Sequence, residues 1–109
     1  MFNFEKKVLE RSFIKPVIVE FSAPGCGPCK WMEKILIEIV EQMKGTVDFV
    51  SLPISNCPEY IKQYQISSNP TTVLFIKGKP KAQLKGALPK MVIQQWLNDH
   101  TGLVSDAKI

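Results

Sequence analysis

Two cysteines separated by two residues, Cys26-Gly27-Pro28-Cys29, lie between an apolar run, Val17 to Phe21, and a helical pattern that runs from Trp31 to Met43. The run Val17-Ile18-Val19-Glu20-Phe21 is rich in β-branched residues and lacks a clean alternation of polar positions, as expected of a strand buried on both faces. Such a strand needs covering layers on each side. Met32, Leu36, Ile39, Val40 and Met43 recur at helical spacing, and Gly45 closes the helix. A Cys-x-x-Cys pair at a strand-to-helix junction is a redox pattern. The first N–H groups of a helix have no intrahelical partner, and the helix dipole places partial positive charge there. Sulfur at that point is better tolerated as the thiolate, which is the nucleophilic form. The spacing puts Cys26 at the helix mouth and Cys29 one turn further in. Gly27 allows close approach of a partner backbone, and Pro28, in the first turn, has no N–H to leave unpaired.

At 109 residues the chain is expected to form one domain, 1–109, with a polar tail from Thr101 to Ile109 that frays. A hydrophobic content of 45% supplies a core. The net charge of +4 raises the question of a nucleic-acid face, because Lys77, Lys79, Lys81 and Lys85 cluster around a predicted hairpin. No aromatic residues interleave them and no binding motif accompanies them, so they read as the lysines that protect a sheet edge from aggregation. Three cysteines are an odd number, which excludes a disulfide framework. The N-terminus has no apolar stretch suited to a signal peptide, and no segment approaches membrane-spanning length. A reducing, cytoplasmic setting is expected, with no membrane and no nucleic-acid partner.

In chain order, Asn3 caps a helix over Phe4 to Arg11, and Lys15-Pro16 ends it. After the first strand and long helix, Thr46 to Ile54 reads as a second strand, parallel to the first through the helical crossover. Cys57 to Tyr64 forms a short helix capped by Asn56, with Pro58 just inside. Val73 to Ile76 and Ala82 to Lys85 make an antiparallel hairpin around Lys77-Gly78-Lys79-Pro80. Pro89 starts a last helix carrying Met91, Val92, Trp96 and Leu97. The product is an α/β domain with a central mixed sheet and helices on both faces. Trp31 and Trp96 fall at helical spacing with apolar residues and read as core. Cys57 reads as a core residue with a regulatory thiol as the alternative, and His100 as a solvated side chain.

Together, Cys26-Gly27-Pro28-Cys29-Lys30 after a hydrophobic strand, Asn69-Pro70-Thr71 before another, Lys77-Gly78 at a hairpin and Gly86-Ala87 before the last helix resemble the thioredoxin family, the type example of this motif. The resemblance covers nearly the whole chain. It implies the thioredoxin fold, with four strands in the sheet, or five if the short N-terminus supplies one. It implies a protein disulfide reductase that works by dithiol exchange, recycled by an NADPH-dependent thioredoxin reductase. Cys26 would be the attacking nucleophile and Cys29 the resolving cysteine. Pro70 would be a cis-proline opposite them, exposing the Asn69 backbone to pair with an extended substrate. Gly25, Gly27, Pro28, Gly86 and Ala87 would complete the contact surface. Glu20 matches the family's buried acid, usually aspartate, and would accept the Cys29 proton; its alternative is a glutamate that reaches out to pair with a lysine. The family's neighbouring lysine falls on Ser51, which would raise the Glu20 pKa further. No cofactor beyond the cysteine pair is implied, and a monomer suffices.

Other readings share these residues. A disulfide oxidase or isomerase uses the same chemistry, but Gly-Pro between the cysteines, without a histidine, favours the reducing direction. A specialised carrier with a dedicated partner is suggested by Gly25, Ser22 and Asn69 standing where the family has other residues. Glutaredoxin activity lacks the preferred tyrosine in the dipeptide. A redox-inactive binding module, or a zinc site, would need ligands that only Cys57 and His100 could add, both distant in sequence.

Overall fold

A computed structural model describes residues 2–103. Four strands, β1 (Val17–Ser22), β2 (Asp48–Pro53), β3 (Thr71–Ile76) and β4 (Lys79–Lys85), form one sheet in the order β2-β1-β3-β4. β1 pairs with β2 in parallel and with β3 antiparallel, and β3–β4 is the antiparallel hairpin. Three α-helices, α1 (Gly27–Gln42), α2 (Pro58–Gln63) and α3 (Lys90–Thr101), complete the framework. No fifth strand occurs among the described residues, because Phe2 and Asn3 lead directly into helix.

The central position of β1 explains its composition: Val17 through Phe21 are all fully buried. Alternation sends Val17, Val19 and Phe21 to one face, where they meet Val73, Phe75, Phe4 and Val8. Phe4 stacks on Tyr60 with ring centroids 4.1 Å apart, and Tyr64 meets Phe75 edge-on at 5.3 Å. The opposite face carries Ile18 and Leu74 beneath Met32, Leu36, Ile39, Ile93 and Leu97, so α1 and α3 cover it.

The N-terminal helix is present but is wound differently from expectation. Glu5–Glu10 is π-helical and passes into a 3-10 turn at Arg11–Phe13. Asn3 Oδ1 accepts from the Lys6 N–H at 3.1 Å, the capping role expected of it. Buried Ser12 then ties this segment to the hairpin. Its carbonyl accepts from the Lys77 N–H at 3.0 Å, and its hydroxyl accepts from the Gly78 N–H at 2.7 Å. Lys77 and Gly78 have φ of 52° and 82°, the left-handed pair that a two-residue hairpin requires. A side chain at Gly78 would also strike the Phe13 ring, 2.8 Å from where its Cβ would stand.

Some expectations change and others hold. Trp31 is exposed, because the buried stripe of α1 is Cys29, Met32, Leu36 and Ile39, and Trp31 lies outside it. Trp96 is partly buried against the core as expected, and His100 is half-buried, edge-on to its ring at 5.8 Å. Asn56 belongs to a 3-10 turn, so buried Cys57 takes the capping position of α2 without a side-chain bond to the helix. The lysine-rich β4 is an edge strand, in keeping with the protective reading. α3 extends through Thr101 and ends on Gly102 in the left-handed conformation; the frayed tail expected beyond it falls mostly on residues 104–109, outside the described residues. Among the described residues, no helix is long and apolar enough to cross a membrane.

Candidate active site

The C-terminal end of β1 opens into Ala23-Pro24-Gly25, and Gly25 takes a φ of 73° to turn the chain toward the helix. Cys26 is then the N-cap of α1, with extended backbone, and its Sγ accepts from the Cys29 N–H at 3.1 Å. The two sulfurs are joined in a disulfide. Cys26 is partly exposed and Cys29 is buried, so a partner molecule meets Cys26 first. Pro28 sits in the first turn of α1, where the absent N–H costs nothing. The remaining free N–H groups and the dipole of a 16-residue helix favour negative charge on the capping sulfur once the disulfide opens. Among the described residues, no three potential metal ligands gather.

Glu20 lies under this helix end. Strand alternation places it on the α1/α3 face with Ile18, the face covered by α1, whose buried stripe starts at Cys29. It is fully buried and does not reach out to a lysine. Ser51, directly across on β2, donates a long hydrogen bond of 3.5 Å to Glu20 Oε1. Burial pushes the Glu20 carboxyl up to about 7, and the Glu33 carboxylate adds to the rise, while the Ser51 hydroxyl pulls the other way. Glu33 stands one turn beyond Cys29 on α1, four residues on. The acid and the buried cysteine therefore share one layer of the molecule.

The same end of the sheet carries the rest of the rim. Phe21 at the exit of β1 pairs with Thr71, which follows Pro70 and also pairs with Lys85. The Asn69–Pro70 peptide bond is cis, as the family resemblance implies. Pro70 is buried and Asn69 exposed. The Gly86 N–H donates to the Pro70 carbonyl at 2.8 Å, which joins the start of β3 to the end of β4. Ala87 follows at partial burial, while Gly25, Gly27 and Pro28 are exposed. The strand ends thus bring the cysteine loop, Pro70 and Gly86 to one edge of the sheet. Sequence reasoning did not find Glu33 or Thr72. Glu33 is signalled by its four-residue offset from Cys29, and Thr72 by being a hydroxyl inside an otherwise apolar buried strand.

A disulfide between Cys26 and Cys29 at the start of a helix, on a mixed four-stranded sheet with helices on both faces, defines a thiol–disulfide oxidoreductase. The chain belongs to the thioredoxin family, whose model matches residues 2–99. It is 35% identical over 98 residues to Thioredoxin 1 of Nostoc sp., covering 90% of each chain. To the thioredoxin of Rickettsia felis it is 38% identical over 96 residues, covering 88% of this chain and 90% of that one. A bifunctional thioredoxin reductase/thioredoxin of Mycobacterium leprae is 35% identical over 85 residues, 78% of this chain and 19% of that protein. Thiol–disulfide exchange through Cys26 and Cys29 is therefore the activity of this chain.

Proposed function

We propose that the chain reduces disulfides in other proteins, with Cys26 as nucleophile and Cys29 as resolving residue. The observation that carries this division of roles is the asymmetry of the pair: Cys26 is partly exposed at the helix mouth, and Cys29 is buried behind it. The Cys26 thiolate attacks one sulfur of the substrate disulfide and releases the other as a thiolate, which takes a proton from solvent. Cys29 gives its proton to the Glu20 carboxylate, and its sulfur attacks Cys26. The Cys26–substrate bond breaks, the second substrate sulfur leaves as thiolate, and the Cys26–Cys29 disulfide forms. Two electrons have passed to the substrate, and no cofactor beyond the cysteine pair takes part.

The exposed backbone at Asn69 receives an extended substrate segment as an added strand, with Gly25, Gly27, Pro28, Pro70, Gly86 and Ala87 forming the flat surround. An NADPH-dependent thioredoxin reductase returns the disulfide to the dithiol. The presence of both activities in one Mycobacterium leprae chain supports that pairing. The protein works as a monomer in the cytoplasm, where a reducing environment maintains the dithiol. The test is insulin reduction driven by NADPH and a bacterial thioredoxin reductase, with Cys29→Ser beside it. Turnover in the parent, with loss in Cys29→Ser and accumulation of a Cys26–insulin mixed disulfide by mass spectrometry, is the expected result. Activity restored only by dithiothreitol leaves the exchange chemistry standing and refutes the NADPH-dependent thioredoxin reductase as its electron donor, and silence under both conditions refutes the disulfide-reductase reading altogether.

A further inference from the structure

One polar row crosses the sheet face beneath α1. Glu20 on β1 is registered with Ser51 on β2 and with Thr72 on β3, and directly opposed residues stand on the same face of a sheet. The next row in from the site, Phe49, Ile18 and Leu74, is wholly apolar. Glu20 and Thr72 are both fully buried. Ser51 serves Glu20 Oε1. Among the described residues, Glu20 Oε2 and Thr72 Oγ1 are the buried side-chain oxygens without a hydrogen-bond partner, and they belong to residues facing each other across two strands. An unpaired buried oxygen is costly, and two of them on one cross-strand pair point to a shared partner. Valine, which fills the neighbouring positions Val19 and Val73, would occupy the Thr72 site without that cost.

We propose that Thr72 is a positioning residue for the Glu20 proton: one water, held between Thr72 Oγ1 and Glu20 Oε2, fixes the carboxyl beneath Cys29 while Ser51 holds its other oxygen. The water donates to the carboxylate and accepts from the Thr72 hydroxyl, so both orphaned atoms are satisfied by a single molecule. The inference rests on the proposed role of Glu20 as acceptor of the Cys29 proton. In that step one proton passes from Cys29 Sγ to the carboxylate. The sulfur electron pair left behind forms the bond to Cys26 as the Cys26–substrate bond breaks. Among the described residues, the polar groups set against Glu20 are Glu33 from α1, Ser51 from β2 and Thr72 from β3, and Cys29 begins the buried stripe of α1. The core residues of α3 on this face, Ile93 and Leu97, and Leu84 of β4 carry no charge. Among the described residues none of these neighbours is a cation, so hydroxyls and water are what stabilise the carboxylate.

The experiment is an NMR titration of the Glu20 side-chain carboxyl carbon in the oxidised full chain, compared with Thr72→Val and Thr72→Ser. Valine should raise the Glu20 midpoint by about one pH unit, a tenfold change in its protonation ratio. Serine, which keeps the hydroxyl, should return it to within a few tenths of the parent value. An unmoved midpoint in Thr72→Val overturns the proposal, and so does an equal rise in both variants. Should Thr72→Val fail to fold, Thr72→Ala replaces it with the same expectation. The pH dependence of mixed-disulfide decay separates this inference from the reading beneath it. A decay midpoint that follows the NMR midpoint supports the positioning role. An NMR shift with an unmoved decay midpoint shows that Glu20 is not the acceptor, and the role of Thr72 falls with it. No shift in either variant, with decay still lost in Glu20→Gln, removes Thr72 and leaves Glu20 standing.

Discussion

Replacing Glu20 by glutamine should make the oxidised protein more stable at alkaline pH and leave it nearly unchanged in acid. The folded carboxyl titrates at about 7 against an ordinary value of 4.5. The native state therefore keeps a proton that the unfolded chain loses between those two values. Stability is full below about pH 4.5, declines as pH rises through 7, and is level above that. The gap between the two pKa values corresponds to about 3.5 kcal/mol at pH 8, at roughly 1.4 kcal/mol per unit. Glutamine has nearly the same shape and no charge to desolvate, so Glu20→Gln should recover this energy at pH 8 and little of it at pH 4.5. For a domain near this size, the gain corresponds to a rise in Tm of roughly 10–20 °C at the higher pH. Guanidinium unfolding of both proteins across pH 4.5 to 8.5, with the disulfide intact so that Cys26 and Cys29 do not titrate, reads the effect directly. Buried Cys57 and the partly buried Tyr60 and Tyr64 have pKa values raised from 9.0 or 10.0, so they titrate above the window that decides the test. A parent protein whose stability is flat from pH 5 to 8, or a Glu20→Gln gain of equal size at both ends, would refute the buried-acid argument.

Other expectations follow from burial. Cys57 is 3% exposed, with its thiol pushed up by burial and then by Glu59, so it should resist iodoacetamide at pH 8 in the folded oxidised protein. Mass spectrometry should find it alkylated only after unfolding; ready labelling of the native chain would contradict its place in the core. Leu74→Ala removes a fully buried side chain from the α1/α3 face and should cost roughly 2–5 kcal/mol in denaturant unfolding. A loss under about 1 kcal/mol would mean that this face is not packed as described.

The cysteine loop, the buried β1 strand and the helix leaving it are legible in the sequence because each has a strong local signature. The sheet order, by contrast, depends on which strands meet, and the family resemblance carries it better than periodicity does. Trp31 misleads because aromatic residues weigh heavily in a helical pattern, although its step places it off the stripe that runs from Cys29 through Met32 to Leu36. The wider winding of Glu5–Glu10 has no evident mark in its residues. Glu20 is legible as an anomaly in an apolar strand, yet its neighbours are not. Ser51 and Thr72 become a set with Glu20 only when strand register lines them up. Pro70 and Gly86 lie 16 residues apart in sequence and meet through a backbone hydrogen bond that only the hairpin brings about.

The two faces of the sheet differ in what they allow to change. Val17, Val19, Phe21, Val73 and Phe75, with the rings of Phe4 and Tyr64, form an apolar block with no ionisable group buried among the strand residues. The polar row is confined to the other side of the same strands and to three adjacent positions. Alternation along each strand insulates the two, since a substitution at Ser51, Glu20 or Thr72 projects away from the aromatic block. The chain therefore offers a small, separable dial: acidity near the cysteines can be retuned on one side while the anchoring side is left intact. Designed variants with altered redox behaviour should be sought first within that row.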